Sequence, residues 1–266
     1  YYNANGSLVS QGMLPPGLAQ DILSLREGEP RQCITVWLDW NKGVITPTHG
    51  VSTVVNKHRM SYDEFQGRLP DECEVLRHIS SCERADDIVA WAMLEYNKYM
   101  GAHLVGQGSG MLRTKESGKP ASYALVADDG NKVHVGIGSI YAHMTSPIRR
   151  FPDLYNQFCY HGRLCETLTD EGLCELNVRM SQIAQFHYMH TVMEVACVCL
   201  KEPMTVRIED TGDDESVYAY LPHRRVRIPT HDSYYENAVG PSGATVRLWG
   251  VLKNGRHILR IAGEGD

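Results

Sequence analysis

The segment "YAHMTSPIRRFPDL", residues 141 to 154, concentrates side chains that can bind a phosphate. Arg149 and Arg150 carry planar guanidinium groups, which donate forked pairs of hydrogen bonds to phosphate oxygens. The segment also predicts a helix start, where the helix dipole disfavours cations, so an anion is expected to receive the two arginines. Asp153 is expected to orient one of them from the next turn, and Pro152 to kink that turn. The chemistry predicted is the binding of a phosphodiester.

The residues before the arginines predict how this site is positioned. Tyr141 and His143 occur at every second position, so one face of a strand is expected to present two hydrogen-bonding rings. Thr145 or Ser146 is expected to cap the helix, with Pro147 at its first position, and the free backbone N–H groups there would also bind an anion. The alternatives are core packing for Tyr141, a structural hydrogen bond for His143 and ordinary surface ion pairs for the two arginines.

The same segment closely resembles the signature of the RNB domain, the catalytic domain of the ribonuclease II and ribonuclease R family. Three other stretches resemble landmarks of that family in the same order. The resemblance covers about residues 2 to 200, and Asn97 coincides with the asparagine of one landmark helix. The three stretches are "MLPPGLAQDILSLREGEPRQ", "DDIVAWAMLEYNKYMGAHL" and "GMLRTKES".

The resemblance implies a 3′→5′ exoribonuclease, in which a single RNA strand threads to a buried site and Mg²⁺ ions held by carboxylates activate water. Arg149 matches the catalytic arginine of the family, which would stabilise charge on the scissile phosphate. The neighbouring residues would hold the RNA backbone, and the aromatic rings would be available to stack bases. The residues assigned to RNA or phosphate binding are Arg150, Ser146, Thr145, His143, Tyr141 and Asp153.

Two departures from the family pattern bear on activity. The metal-binding aspartates of the family form a "D-P-x-x-x-x-D-x-D-D" cluster upstream of the "MLP" landmark, and the aspartate pairs of this sequence lack that spacing. No metal ligand is therefore assigned to this chain, and Mg²⁺ is implied by the resemblance alone. Gln157 and Phe158 also stand where the family commonly has "H-R". The aspartate pairs are Asp86-Asp87, Asp128-Asp129 and Asp213-Asp214.

Three hypotheses about function remain open at this point. In the first, the chain is the C-terminal part of an RNB exoribonuclease, and a larger polypeptide or another chain supplies the aspartate segment. On that hypothesis the chain alone is not expected to hydrolyse RNA. In the second, it is a catalytically inactive RNB-like subunit that binds RNA or supports a ribonucleoprotein complex. In the third, it is a globular protein without enzymatic activity, whose arginine turn is ordinary surface.

The pattern along the chain predicts an α+β protein, with an RNB-like mixed sheet packed with helices. A short helix is predicted within residues 13 to 30, hairpins around Lys42 and around Asp129-Gly130, and helices over residues 71 to 105 and 153 to 200. Five short strands after Pro203 predict a small β-barrel-like module of the OB or S1 type. The predicted domains are therefore residues 1–202 and 203–266.

Composition limits the class of protein. The 266 residues carry a net charge of -6, so a partner polyanion such as single-stranded RNA must be held by a local site. A secondary basic patch occurs at "PHRRVR", residues 222 to 227. No apolar run is long enough to cross a bilayer, so no membrane association is expected. Eight cysteines without a CxxC pair indicate thiols in a reducing, intracellular compartment.

Overall fold

The computed structural model describes the chain in eleven stretches and divides it into two compact units. The first unit comprises residues 1–116 and 121–168, and the second comprises residues 117–120 and 169–266. Helices and strands are mixed in sequence, which confirms the α+β prediction. The described residues are 12–41, 43–72, 74–117, 119–127, 133–163, 168–202, 204–210, 217–221, 224–228, 245–253 and 256–262.

The first unit opens with a long antiparallel hairpin, which confirms the prediction around Lys42. Strand β1 covers Pro30–Asn41 and β2 covers Val44–Val55, with Asn41 paired to Val44. Gly43 in the connection has φ +82°, a conformation that glycine adopts without steric cost. The short helix predicted within residues 13 to 30 is confirmed: residues 16–22 are helical, with a π-helical turn over Leu18–Ile22, and the helix ends before Gly28.

Three helices follow the hairpin: α1 over Tyr62–Glu72, α2 over Glu74–Ser80 and α3 over Ala85–Gln107. A capping box begins α1. The Ser61 N–H donates to Glu64 Oε2 at 2.6 Å, and the Glu64 N–H donates to Ser61 Oγ at 3.2 Å. These two hydrogen bonds to Glu64 Oε2 and Ser61 Oγ satisfy N–H groups that the first turn of the helix cannot pair internally.

A short antiparallel pair of strands precedes the predicted site in the chain. Strand β3 covers Met111–Thr114, β4 covers Ser122–Leu125, and helix α4 covers Phe151–Tyr160. The predicted hairpin around Asp129-Gly130 has its turn outside the described residues, and its first strand, β4, pairs with β3 instead. The residues after it form a local turn, in which the His134 N–H donates to Ser139 O at 3.0 Å.

The second unit consists of one long helix and an antiparallel sheet. Helix α5 covers Asp170–Cys199 and packs on strands of the sheet. The five strands run in the order β7-β6-β5-β8-β9, which confirms the five predicted strands, while closure into an OB or S1 barrel stays a prediction. The strands are β5 over Met204–Asp210, β6 over Val217–Leu221, β7 over Arg224–Ile228, β8 over Thr245–Lys253 and β9 over Arg256–Ala262.

Helix α5 belongs to the second unit, whereas the sequence-based division lies after residue 202. The domain limits 1–202 and 203–266 stay a prediction. No helix in the described stretches is both long and apolar enough to pass through a membrane.

Candidate functional site

Asn97 on α3 holds the extended segment 141–144 that precedes the arginines. Its side chain is fully buried, and Oδ1 accepts the Met144 N–H at 3.0 Å while Nδ2 donates to the Tyr141 hydroxyl at 3.0 Å. The Asn97 carbonyl accepts the Ala142 N–H at 3.3 Å. One turn later, a Cβ added at Gly101 would lie 3.0 Å from Ala142 N, so the segment runs directly against the helix.

Asn156 on α4 fixes the same segment from the other side. Its Oδ1 accepts the Met111 N–H at 2.7 Å, and its Nδ2 donates to Met111 O at 2.9 Å and to His143 O at 3.0 Å. The Arg113 N–H donates to Tyr141 O at 2.8 Å. The predicted strand is thus an extended segment rather than a regular strand, because asparagine side chains occupy main-chain groups that a neighbouring strand would pair.

Helix α4 begins later than the sequence predicts. A turn precedes it, in which the N–H groups of Arg149 and Arg150 donate to Ser146 O at 3.2 and 3.0 Å. Arg150 is extended, with φ −130° and ψ 124°, and directly precedes the first helical residue, Phe151. Thr145 and Ser146 therefore do not cap the helix, and the arginines lie before its first turn rather than within it.

Two prolines have roles other than those predicted. Pro147 lies in the turn before α4, not at the first helical position. Pro152 lies within the first two positions of α4, where its missing N–H has no partner within the helix to lose. Pro152 removes no hydrogen bond from the helix, so the kink predicted at this residue is not expected. The proline instead favours the start of α4 at this position.

Asp153 neutralises the start of α4. Its side chain is fully buried, and Oδ1 accepts both the Ser146 N–H and Arg150 Nη2 at 2.7 Å. Burial raises the pKa of Asp153, while the Arg150 cation and the Ser146 N–H act in the opposite direction. Arg150 also donates to Thr145 Oγ1 at 3.2 Å. The positive helix terminus is thus compensated by a carboxylate, and it is not the open anion site that the sequence predicts.

The two arginines have different environments. Arg150 is bound to Asp153, as expected for one of the pair, and its side chain is 21% exposed. Arg149 is exposed, and within the described stretches its guanidinium makes no hydrogen bond or ion pair. Arg149 is consequently the cation that this turn leaves available to a ligand.

His143 is a neutral ring close enough to the arginines to be affected by their charge. Its Nδ1 and the Tyr123 hydroxyl are hydrogen-bonded at 2.7 Å. Burial, followed by the Arg150 and Arg113 cations, lowers the pKa of His143 to about 3. The imidazole is therefore uncharged at neutral pH and offers no positive charge to a phosphate.

Tyr141 is also part of the support of the site. Its ring is only 4% exposed and meets the His143 ring edge-on, with centroids 5.4 Å apart. Because its hydroxyl accepts a hydrogen bond from Asn97, the tyrosine orients the segment from within the core.

A groove of about 640 Å³ lies beside the turn within the first unit. Thr145, Pro147 and Ile148 of the turn contribute to its lining, and Arg149 does not. Most of the lining is apolar, including Tyr96, whose hydroxyl donates to Ile34 O at 3.2 Å. A surface of this character suits a flat apolar group better than a charged one.

The structure brings five of the candidate residues together at the turn and the start of α4, and their role in binding RNA stays a prediction. Sequence reasoning missed the residues that support them. Thr145, Ser146, Arg149, Arg150 and Asp153 lie together as expected. The supporting residues that no local pattern singled out are Arg113, Tyr123 and Asn156.

The carboxylates of the described residues are not clustered as a metal site of three or more such ligands would require. Among these residues, no three His, Cys, Asp or Glu side chains are grouped so that they could hold a metal ion. Asp86, in the first turn of α3, is paired with Arg84 at 3.0 and 2.9 Å, which agrees with a solvated surface. The pairs Asp128-Asp129 and Asp213-Asp214 lie outside the described residues.

Comparisons with known proteins give a fold but no family. No protein-family model matches the chain, and no curated protein does. Among the solved structures, Mycoplasma genitalium RNase R in complex with double-stranded RNA is similar at a TM-score of 0.63 and 13% identity, covering 94% of this chain and 64% of that one. The complex of the same enzyme with ribose-methylated single-stranded RNA gives 0.62 and 14%, covering 98% and 62%.

These similarities show that the chain has the fold of a part of RNase R. It spans less than two thirds of the length of either RNase R chain. At 13 to 14% identity the similarity concerns the fold, so residue roles rest on the geometry of the turn described above.

Proposed function

We propose that this chain binds single-stranded RNA at the turn formed by residues 145–150 and forms the phosphate-binding part of an RNB-type 3′→5′ exoribonuclease. The shared fold with two RNA-bound RNase R structures supports RNA as the partner. The observation that carries the proposal is Arg149, an exposed guanidinium without an acidic partner in the described stretches, on a turn whose backbone and Arg150 are held by Asp153 Oδ1.

The support of the turn makes this arginine suitable for binding a phosphate. Asp153 and the Ser146 carbonyl together fix the backbone of residues 146–150, and Asn97 and Asn156 fix the segment before it. A preorganised cation loses less conformational entropy when it binds than a cation on a mobile loop. Arg149 would therefore contact the RNA backbone, with Thr145 as a neighbouring hydroxyl donor.

The apolar groove beside the turn supports a place for a nucleobase. Its lining contains Thr145, Pro147 and Ile148, which directly precede Arg149 in the chain. A base in the groove and a phosphate at Arg149 would occupy adjacent parts of one nucleotide chain. In this proposal Tyr141 and His143 position the turn, since the first is buried and the second is uncharged.

Hydrolysis extends the proposal beyond the described residues. Mg²⁺ would be required, and its carboxylate ligands would come from the remainder of a longer polypeptide or from another chain. The second unit, with five antiparallel strands in the order β7-β6-β5-β8-β9, would add an OB- or S1-type RNA contact. Residues 203–266 would then act as a functional module distinct from residues 1–202.

The decisive measurement is the affinity of the full 266-residue chain for a fluorescent single-stranded RNA, compared among wild type, Arg149→Ala and Arg59→Ala. Arg59 is another exposed arginine, outside the turn, so its variant controls for loss of one charge. Loss of a charge-assisted hydrogen bond is expected to weaken binding by about tenfold in Arg149→Ala, against less than about twofold in the control. Equal affinities of the two variants would contradict the proposal.

A 3′→5′ hydrolysis assay separates the enzyme from the inactive alternative. The assay uses the longer polypeptide, or this chain together with the chain that supplies the aspartate segment, in the presence of Mg²⁺. Release of mononucleotides from the RNA then supports an exoribonuclease, and Arg149→Ala should abolish that release. Binding that depends on Arg149 without any hydrolysis supports a catalytically inactive, RNA-binding subunit.

A further inference from the structure

Arg113 on β3 lies close to the arginine turn and has no role in the function proposed so far. It stands directly opposite Tyr123 on β4, and its guanidinium carbon lies 4.6 Å from the centroid of the Tyr123 ring. The backbone of Arg113 is fixed by the hydrogen bond from its N–H to Tyr141 O. The position of this side chain is therefore set by the same segment that leads into the turn.

The charge of Arg113 is left without a carboxylate. The side chain is half-buried, and burial lowers its pKa, which means that the protein disfavours the cation there. In the described stretches Arg113 makes no ion pair. After burial and the opposing influence of Tyr123, the cation Arg150 also lowers its pKa. The ring of Tyr123 offers only the partial compensation of a cation–π contact.

Arg113, Arg149 and Arg150 together form a cationic cluster around the neutral His143. All three guanidinium groups act on the His143 ring, and the Asp153 carboxylate is already bonded to Arg150. Repulsion between these cations destabilises the folded protein unless an anion binds among them. A cluster of this kind is expected where a ligand carries more than one negative charge.

We propose that Arg113 binds a second phosphate of the RNA strand, adjacent to the phosphate bound by Arg149. This inference rests on the proposed RNA binding and adds a residue and a second phosphate subsite to it. The cation–π contact with Tyr123 uses none of the guanidinium N–H donors, and within the described residues these donors make no hydrogen bond, so they are available for phosphate oxygens. Because a single strand carries one charge per nucleotide, Arg113 and Arg149 would each bind one of two consecutive phosphates.

The test compares wild type with Arg113→Met, Arg149→Met and Arg59→Met. The probes are single-stranded RNAs of one sequence, each with one phosphate replaced by a neutral methylphosphonate. Arg113→Met and Arg149→Met should each become insensitive to the replacement at one position, and the two positions should be neighbours. Each should also reduce the slope of log affinity against log salt by about 0.7, as expected for one lost phosphate contact, while Arg59→Met leaves it unchanged.

Each outcome of this test has a defined meaning. If Arg113→Met keeps the sensitivity profile and salt slope of wild type while Arg149→Met does not, Arg113 has only a packing role and this inference is wrong. If wild type itself does not bind the RNA, the proposed function fails. Thermal unfolding of each variant is measured first. Arg113→Gln, which retains a polar planar group, replaces Arg113→Met if that variant does not fold.

Discussion

At the scale of single residues, Asp153 explains how two arginines can precede a helix. The carboxylate is buried at the N-terminus of α4, where a negative charge is favoured, and it accepts hydrogen bonds from both Arg150 and the Ser146 N–H. Asp153 forms an ion pair with Arg150, whereas Arg149 is exposed. The spacing in the sequence predicted that Asp153 lies near Arg149 and Arg150, which the structure confirms for Arg150. Because the two arginines are three and four residues from Asp153, the spacing did not indicate which one it would bind.

His143 makes a prediction about stability against pH. The pKa of the folded protein's imidazole is about 3, against 6.5 for an unperturbed histidine, so the unfolded chain binds more protons between these values. This contribution to stability is complete above pH 6.5 and is lost as the pH falls toward 3. Replacing the histidine should reduce the pH dependence by up to about 1.4 kcal/mol per pH unit within that window.

The measurement is chemical denaturation of wild type, His143→Gln and His58→Gln at several pH values between those limits. His58 is exposed, so its replacement controls for the loss of a histidine elsewhere in the chain. A pH slope for His143→Gln as steep as that of the His58→Gln control would show that the His143 ring does not remain neutral in the folded state.

At the scale of secondary structure elements, the contact between α3 and the segment 141–144 requires a glycine. A Cβ at Gly101 would lie 3.0 to 3.3 Å from the backbone of residues 141 and 142, which Asn97 holds in place. The same helix contains Gly106, around which an added Cβ would find no atom within 4 Å. The two glycines therefore form a matched pair within a single helix.

Alanine substitutions at these two glycines should change stability in opposite directions. Gly106→Ala should stabilise the protein by about 0.5–1 kcal/mol, because alanine has the higher helix propensity. Gly101→Ala should destabilise it by about 1–3 kcal/mol, since the backbone of the packed segment must move. Denaturation midpoints of both variants test this prediction. Stabilisation by Gly101→Ala would show that the backbone of residues 141–144 moves at little cost.

Local elements were predictable from the sequence, and the connections between them were not. The hairpin of β1 and β2 and the capping box at Ser61 follow from residues close together in the chain. Asn97 and Asn156 bind backbone groups more than 40 positions away in the chain, and hydrophobic periodicity in the sequence cannot predict such contacts. The start of α4 was misplaced because Ser146 and Pro147 suit a helix start as well as the residues that actually form it.

At the scale of the whole molecule, the chain divides into two compact units, and we expect a substitution inside one unit to leave the other unchanged. In the second unit, Gly250 on β8 lies directly against α5. A Cβ added there would lie 2.7 Å from Leu200 N and still closer to Ala196 O, both of which are backbone atoms that cannot rotate away. The strand and helix can approach this closely only because position 250 has no side chain.

Gly250→Ala is therefore expected to loosen the second unit while leaving the first unchanged. Hydrogen exchange measured by mass spectrometry should become faster in α5 and β8 and remain as in wild type in α3 and β3. Gly101→Ala should give the reciprocal pattern, because its added methyl group meets backbone of the first unit. Accelerated exchange throughout the chain in either variant would mean that the two units unfold as one. If they unfold separately, RNA binding through Arg149 should survive Gly250→Ala, and that retained affinity would locate the phosphate site in the first unit.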